Sequence, residues 1–243
     1  MAREARLVIP GLPHHVVLRA KRGKALFFDD QDRRRYLDLL TGYAAAHCLQ
    51  VWAWCLMPDH VHLVAVPKKA RSLMAAIMPL QSHYSGYLRR TRKNRGVVWA
   101  GRFASCPLDK RHAWEAIRFV ERNPLRAGLV LRPDRYPWSS AGGHAGLRED
   151  PLLAGGLKVR GKGENWAKWL RAGEDAALVA TIRACTRTGR PAGNETFIAR
   201  LEKLTRRCLR AKKVGRPRKE KGKAKGKSKK VRGRAAGRKR KKR

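Results

Sequence analysis

The sequence predicts an α+β fold, one antiparallel sheet covered on a face by helices. Three observations carry this: short apolar runs with strand character, helical periodicity between them, and their order. That order is strand, helix, strand, strand, helix, strand, helix, which is a split βαβ (ferredoxin-like) arrangement.

The first run, His14 to Arg19, follows the breakers Pro10-Gly11 and Pro13 and suits a strand. Asp29 or Asp30 then caps a helix on which Tyr36, Leu37, Leu40, Tyr43 and Ala44 recur at three- and four-residue spacing, with Arg33 to Arg35 on its exposed edge. Val51 to Met57 is apolar, and Pro58-Asp59 turns the chain into His60 to Val66, so two adjacent antiparallel strands are expected. Ser72 opens a second helix with Leu73, Ile77, Leu80, Tyr84 and Leu88 on one side, where Pro79 should kink it or shift its start. A strand is expected around Arg102 to Leu108. Asp109 caps a further helix carrying Trp114, Ile117 and Val120, which Pro124 should end at Asn123. Beyond about residue 150 the periodicity weakens, though Phe197, Leu201, Leu204 and Leu209 keep helical spacing. The expected organisation is a first domain over 1–150, a small helical extension over 151–210, and a disordered Lys/Arg-rich tail over 211–243 with almost nothing to bury.

The formal charge of the 243 residues is +40, and the tail holds 19 Lys or Arg against the single Glu220. That assigns +18 to residues 211–243 and leaves +22 on residues 1–210, so the folded part is itself strongly cationic. A polyanion is the expected partner. Membrane binding is not expected, since no apolar run is long enough to cross a bilayer and the tail has no interleaved Trp, Phe or Leu. No secretory pattern follows Met1, and the five cysteines are scattered with no Cys-x-x-Cys pair, so reduced thiols and a cytoplasmic location are expected.

His60 and His62 stand two apart on a strand, which places both imidazoles on one face, about 7 Å from each other. That spacing suits a bridging metal, and it equally suits two histidines decorating a half-exposed strand. Arg89, Arg90, Arg92, Lys93, Arg95 and Arg102 form a basic stretch with Trp99 and Phe103 interleaved, fit for phosphate contacts with base stacking or for a solvated helix end. Gly215-Arg216-Pro217 resembles an AT-hook core, in which Arg216 would enter a narrow minor groove.

Met57-Pro58-Asp59-His60-Val61-His62-Leu63 resembles the histidine-hydrophobe-histidine motif of single-tyrosine (HUH) transposases, and the likeness is nearest to REP-associated tyrosine transposases. Supporting stretches are residues 10–17, Gly101 to Ser105, Arg122 to Val130, and Tyr136 to Ser140, with Thr188-Gly189-Arg190-Pro191 similar to the family's C-terminal extension. The resemblance implies a transposase-like protein that recognises hairpin-bearing single-stranded DNA, as a monomer or homodimer in a bacterial nucleoid. It implies a divalent metal, manganese or magnesium, held by two histidines and a polar helix residue, and a tyrosine that attacks the strand. At the position of that tyrosine, four residues before Asn123-Pro124, stands Phe119, which has no hydroxyl. A cleavage-deficient DNA-binding protein is therefore the alternative expectation, with RNA binding a third. Asn123 shares the helix face of Phe119 and is the candidate third ligand, or else a helix C-terminal cap; Glu115 is a weaker candidate. Tyr84 and Tyr87 could supply a relocated nucleophile, but their spacing with Leu80 and Leu88 fits a core stripe.

Overall fold

The structure, a computed structural model, describes residues 5–92, 96–153 and 164–210. β1 (His14–Arg19) lies between β3 (His60–Pro67) and β4 (Ala104–Pro107), and β2 (Leu49–Met57) flanks β3. All pairings in the resulting order β2-β3-β1-β4 are antiparallel. The strand bounds expected from the sequence hold to within about two residues, and Met57 pairs with His60 across the Pro58-Asp59 turn.

Helices cover both faces of this sheet rather than one. α1 (Asp30–Ala46) and α2 (Ser72–Thr91) bury Tyr36, Leu40, Leu73, Ile77, Leu80 and Tyr84 against Val16, Leu18, Val61, Leu63 and Ala65. On the other face α3 (Lys110–Glu121) and α7 (Ala176–Thr188) bury Ile117, Phe119, Val120, Val179 and Ile182 against Cys55, Val64 and Cys106. The sign of this is in β3, where His62, Val64 and Val66 are as buried as Val61, Leu63 and Ala65. A strand apolar on both alternations needs two layers above it.

Local signals set the helix ends. The Asp29 side chain accepts from Asp32 N–H at the start of α1, and Asp109 accepts from His112 N–H at the start of α3. Pro79 stays inside α2 and does not shift its start, because one missing N–H costs less than exposing the apolar stripe on either side of it. Pro124 differs from expectation too. α3 stops at Glu121, and Pro124 sits in the first turn of a new short helix, α4 (Asn123–Arg126), where its absent N–H and fixed φ are no handicap.

After α4 come α5 (Ala141–His144), α6 (Glu164–Arg171), α7 and α8 (Glu195–Thr205). Buried Glu121, at the end of α3, ties α5 and α6 together: it accepts from Ser140 Oγ and Trp166 Nε1 and pairs with His144 Nδ1. Irregular chain covers the β2 edge and the end of β4. Along β2, Leu56 N–H donates to the Trp138 carbonyl, Ser140 N–H to the Trp54 carbonyl, and Tyr136 Oη–H to the Leu56 carbonyl. Along β4, Ala192 N–H donates to the Pro107 carbonyl and Asp109 N–H to the Ala192 carbonyl.

Of the basic stretch, Arg89, Arg90 and Arg102 are exposed. Lys93, Arg95, Arg216 and the whole tail lie outside the described residues. Arg92 is engaged inside the fold, pairing with Asp29 and, at 3.0 Å, with fully buried Asp32. Trp99 donates its indole N–H to the Gln81 carbonyl, and buried Phe103 lies under the Arg6 guanidinium. Among the described residues no helix is long and apolar enough to cross a membrane. Arg92→Ala would leave the Asp32 carboxylate buried without its cation; unfolding in urea should show a loss of about 1–3 kcal/mol.

Candidate functional site

The register of β1 on β3 sets the site. Arg19 pairs with His60, Val17 with His62, and His15 with Val64, so all six point to the layer of α3 and α7. His15 and His62 stack with ring centroids 5.1 Å apart, and His15 Nε2 lies 2.9 Å from His62 Nδ1. The His60 ring stands edge-on to His62 at 4.9 Å, with its Nδ1 2.6 Å from Asp59 Oδ1.

Phe119, only 2% exposed, plugs the floor of this group. Its ring meets His15 and His62 edge-to-face at 5.7 and 5.4 Å. Two guanidiniums cover it, Arg126 at 4.4 Å and Arg183 at 5.0 Å from the ring centroid. Arg126 also donates to the Phe119 carbonyl and to Asn123 Oδ1, at 3.1 and 2.9 Å, and pairs with Glu174. Arg19 and Arg183 have no carboxylate partner among the described residues.

Burial and these cations hold the imidazoles neutral. Desolvation, with Arg19 and Arg183 nearby, lowers His15 to about 3. Desolvation, joined by its histidine neighbours and by Arg19 and Arg126, puts His62 well below the ordinary histidine value. His60 is lowered as well, again chiefly by desolvation, against the opposing pull of Asp59. His14, buried beyond this cluster, is lowered by desolvation to about 4.

Sequence reasoning named His60, His62, Asn123 and Phe119, and the fold brings the two histidines and Phe119 into one cluster with Asn123 beside Arg126. It does not bring Glu115, whose carboxylate accepts from Asp175 N–H and pairs with Arg118. Tyr84 and Tyr87 lie in the opposite layer, bonded to the Leu26 carbonyl and to Asp32. His15, Arg126, Arg183 and Thr186 were missed. His15 could have been found from its parity in the His14 to Arg19 run, and Arg183 and Thr186 from their three-residue spacing on one helix face.

A divalent metal can be tested against these side chains. The Nδ1 atoms of His60 and His62 are both committed to hydrogen bonds, and their Nε2 atoms make none among the described residues, which suits two neutral imidazole ligands. Asn123 Oδ1 accepts from Arg126 and keeps a second lone pair. The donor types suit a hard or borderline cation, while among the described residues no group of three His, Cys, Asp or Glu side chains is placed to hold one, so a third ligand would have to be of another type, such as Asn123. A 740 Å³ cavity lined by Trp52, Leu108, Trp114 and Phe197 shares no residue with this group.

Residues 9–123, the stretch that holds all four strands, match the family described as "Transposase IS200 like". Among solved structures, a REP-associated tyrosine transposase bound to a REP hairpin is 16% identical, with 68% of this chain and 98% of that one covered and a TM-score of 0.48. A protein from Deinococcus radiodurans R1 assigned as a transposase is 19% identical, with 50% and 97% covered and a TM-score of 0.32. No curated protein matches the chain in sequence.

Because His14 and His15 are lowered in the fold, the unfolded chain binds more protons than the folded one below about pH 6.5. Stability is full above that value and is lost as the pH falls toward the folded values, at about 2 kcal/mol per histidine by pH 5. Urea midpoints should drop between pH 7 and pH 5, and a flat profile would contradict neutral burial.

Proposed function

We propose that the chain binds hairpin-bearing single-stranded DNA and does not form the phosphotyrosine link. The observation that carries this is Phe119. Its ring fills the slot between the histidines and the guanidiniums, and a phenyl ring has no atom that can lose a proton and attack phosphorus.

The binding half of the reading rests on charge. Residues 1–210 carry +22, and at the site itself Arg19, Arg126 and Arg183 surround neutral imidazoles, with Glu174 set against Arg126 and Arg122. A phosphodiester placed there gains several charge-assisted hydrogen bonds. Manganese or magnesium at His60, His62 and Asn123 would act as a Lewis acid on the phosphate. The histidines hold its ligand nitrogens unprotonated, and Asn123 offers oxygen. Exposed Arg89, Arg90 and Arg102 add to the basic surface, and Lys93, Arg95 and Arg216 are further candidate DNA contacts from the sequence.

Cleavage by another tyrosine is the competing reading, and the place of Tyr84 and Tyr87 in the opposite layer weighs against it. RNA binding is distinguished by competition, since a DNA-directed site should prefer the DNA hairpin to its RNA counterpart.

The full chain should bind a labelled DNA hairpin with a single-stranded flank, with affinity falling steeply as salt rises. Removal of residues 211–243 should weaken this binding without abolishing it at low salt. Incubated with manganese and run on a denaturing gel, the chain should leave the oligonucleotide unshifted. A covalent species that survives denaturation would overturn the proposal.

A further inference from the structure

We propose that Thr186, on helix α7 outside the family-matched residues, sets through His15 which ring nitrogen of His62 faces the site. This rests on the metal assignment only for what the nitrogen does there; the proton relay itself stands on hydrogen bonds alone.

The chain of bonds has one direction. Thr186 Oγ1 lies 2.7 Å from the Ile182 carbonyl, which can only accept, so the threonine's single proton is committed there. Without it, two oxygens would face each other at that distance with nothing between them. Thr186 Oγ1 must then accept from His15 Nδ1, 2.7 Å away. A neutral imidazole with its proton on Nδ1 has a bare Nε2, and that atom accepts from His62 Nδ1 at 2.9 Å. His62 is thereby left with a bare Nε2. Cys106 Sγ, 3.2 Å from Thr186 Oγ1, can donate its thiol proton to the second lone pair of the hydroxyl and does not compete.

Every member of the relay is dry. His15 is 1% exposed, Thr186 5% and His62 3%, so water does not replace a lost partner. The geometry is also long-range, since Thr186 stands 171 positions and His62 47 positions after His15 in the sequence. The same helix face that carries Thr186 carries Arg183 over Phe119, so α7 reaches the site at two points. Thr186 touches neither metal nor DNA and is a positioning residue.

Thr186→Val keeps the shape of the side chain and removes the acceptor. His15 then has no partner for an Nδ1 proton, and its other tautomer becomes the favoured one, with the proton on Nε2 donated to His62 Nδ1. His62 must in turn carry its own proton on Nε2, where a metal cannot bind. Thr186→Ser restores both the acceptor and the donor.

Nitrogen-15 spectra of histidine-labelled full chain read the tautomers directly, and manganese calorimetry reads their consequence. His62 should be protonated on Nδ1 in the unaltered chain and in Thr186→Ser, and on Nε2 in Thr186→Val. Manganese affinity should fall about tenfold or more in Thr186→Val and stay within about twofold in Thr186→Ser. A His62 tautomer unchanged by Thr186→Val would overturn the relay. If the tautomer follows Thr186 but the unaltered chain binds no manganese, the relay stands and the metal assignment falls.

Discussion

β1 is hydrogen-bonded along both edges, to β3 and to β4, and that double pairing governs everything built on it. A strand so held cannot rotate to place its less apolar face in water. Val16 and Leu18 go to the α1–α2 layer, and His15, Val17 and Arg19 go to the α3–α7 layer. His15 therefore enters a dry interior, where a charged imidazole is too costly and each ring nitrogen must find a partner. Thr186 and His62 are those partners. The site's polar order follows from the sheet's hydrogen-bond ladder.

Phe119 shows that packing and chemistry impose separate demands on one position. The slot beside His15 and His62 calls for a flat ring with an electron-rich face under two guanidiniums, and phenylalanine meets all of that. The hydroxyl matters to none of these contacts. The slot keeps its shape and its cationic surroundings without a hydroxyl, because the interactions that hold the ring are those of its carbon framework.

Much of the fold was legible because short-range rules dominate it. The run from His14 to Arg19, the Pro58-Asp59 turn and the Asp29 and Asp109 caps each declare themselves within a few residues. What was not legible depends on distant partners. The second helical layer was missed although α3, α6 and α7 are each amphipathic, because periodicity shows that a helix has an apolar side and does not show which face of the sheet that side covers. Arg92 reads as one more cation in a basic run until Asp29 and Asp32, about sixty residues earlier, are seen to hold it. Pro124 was misplaced by one element, since a proline that ends one helix and a proline that begins the next look alike in sequence. Of the site, the His60–His62 pair and Phe119 were visible from spacing and resemblance, whereas His15, Arg183 and Thr186 needed the strand register and a helix from the far end of the chain.

The covered β2 edge of the sheet bears on how copies of this chain can associate. The outer edge of β2 is covered by residues 136–140 through backbone and side-chain hydrogen bonds, and the end of β4 by Ala192, which bonds to Pro107 and Asp109. A strand from a second molecule finds no vacant ladder along Trp54 to Leu56 of β2, and displacing Tyr136 to Ser140 would also unseat Glu121 from Ser140. Pairing of copies through that part of β2 is thus disfavoured. The same cover protects that side of a four-stranded sheet, apolar on both faces, from edge-to-edge aggregation.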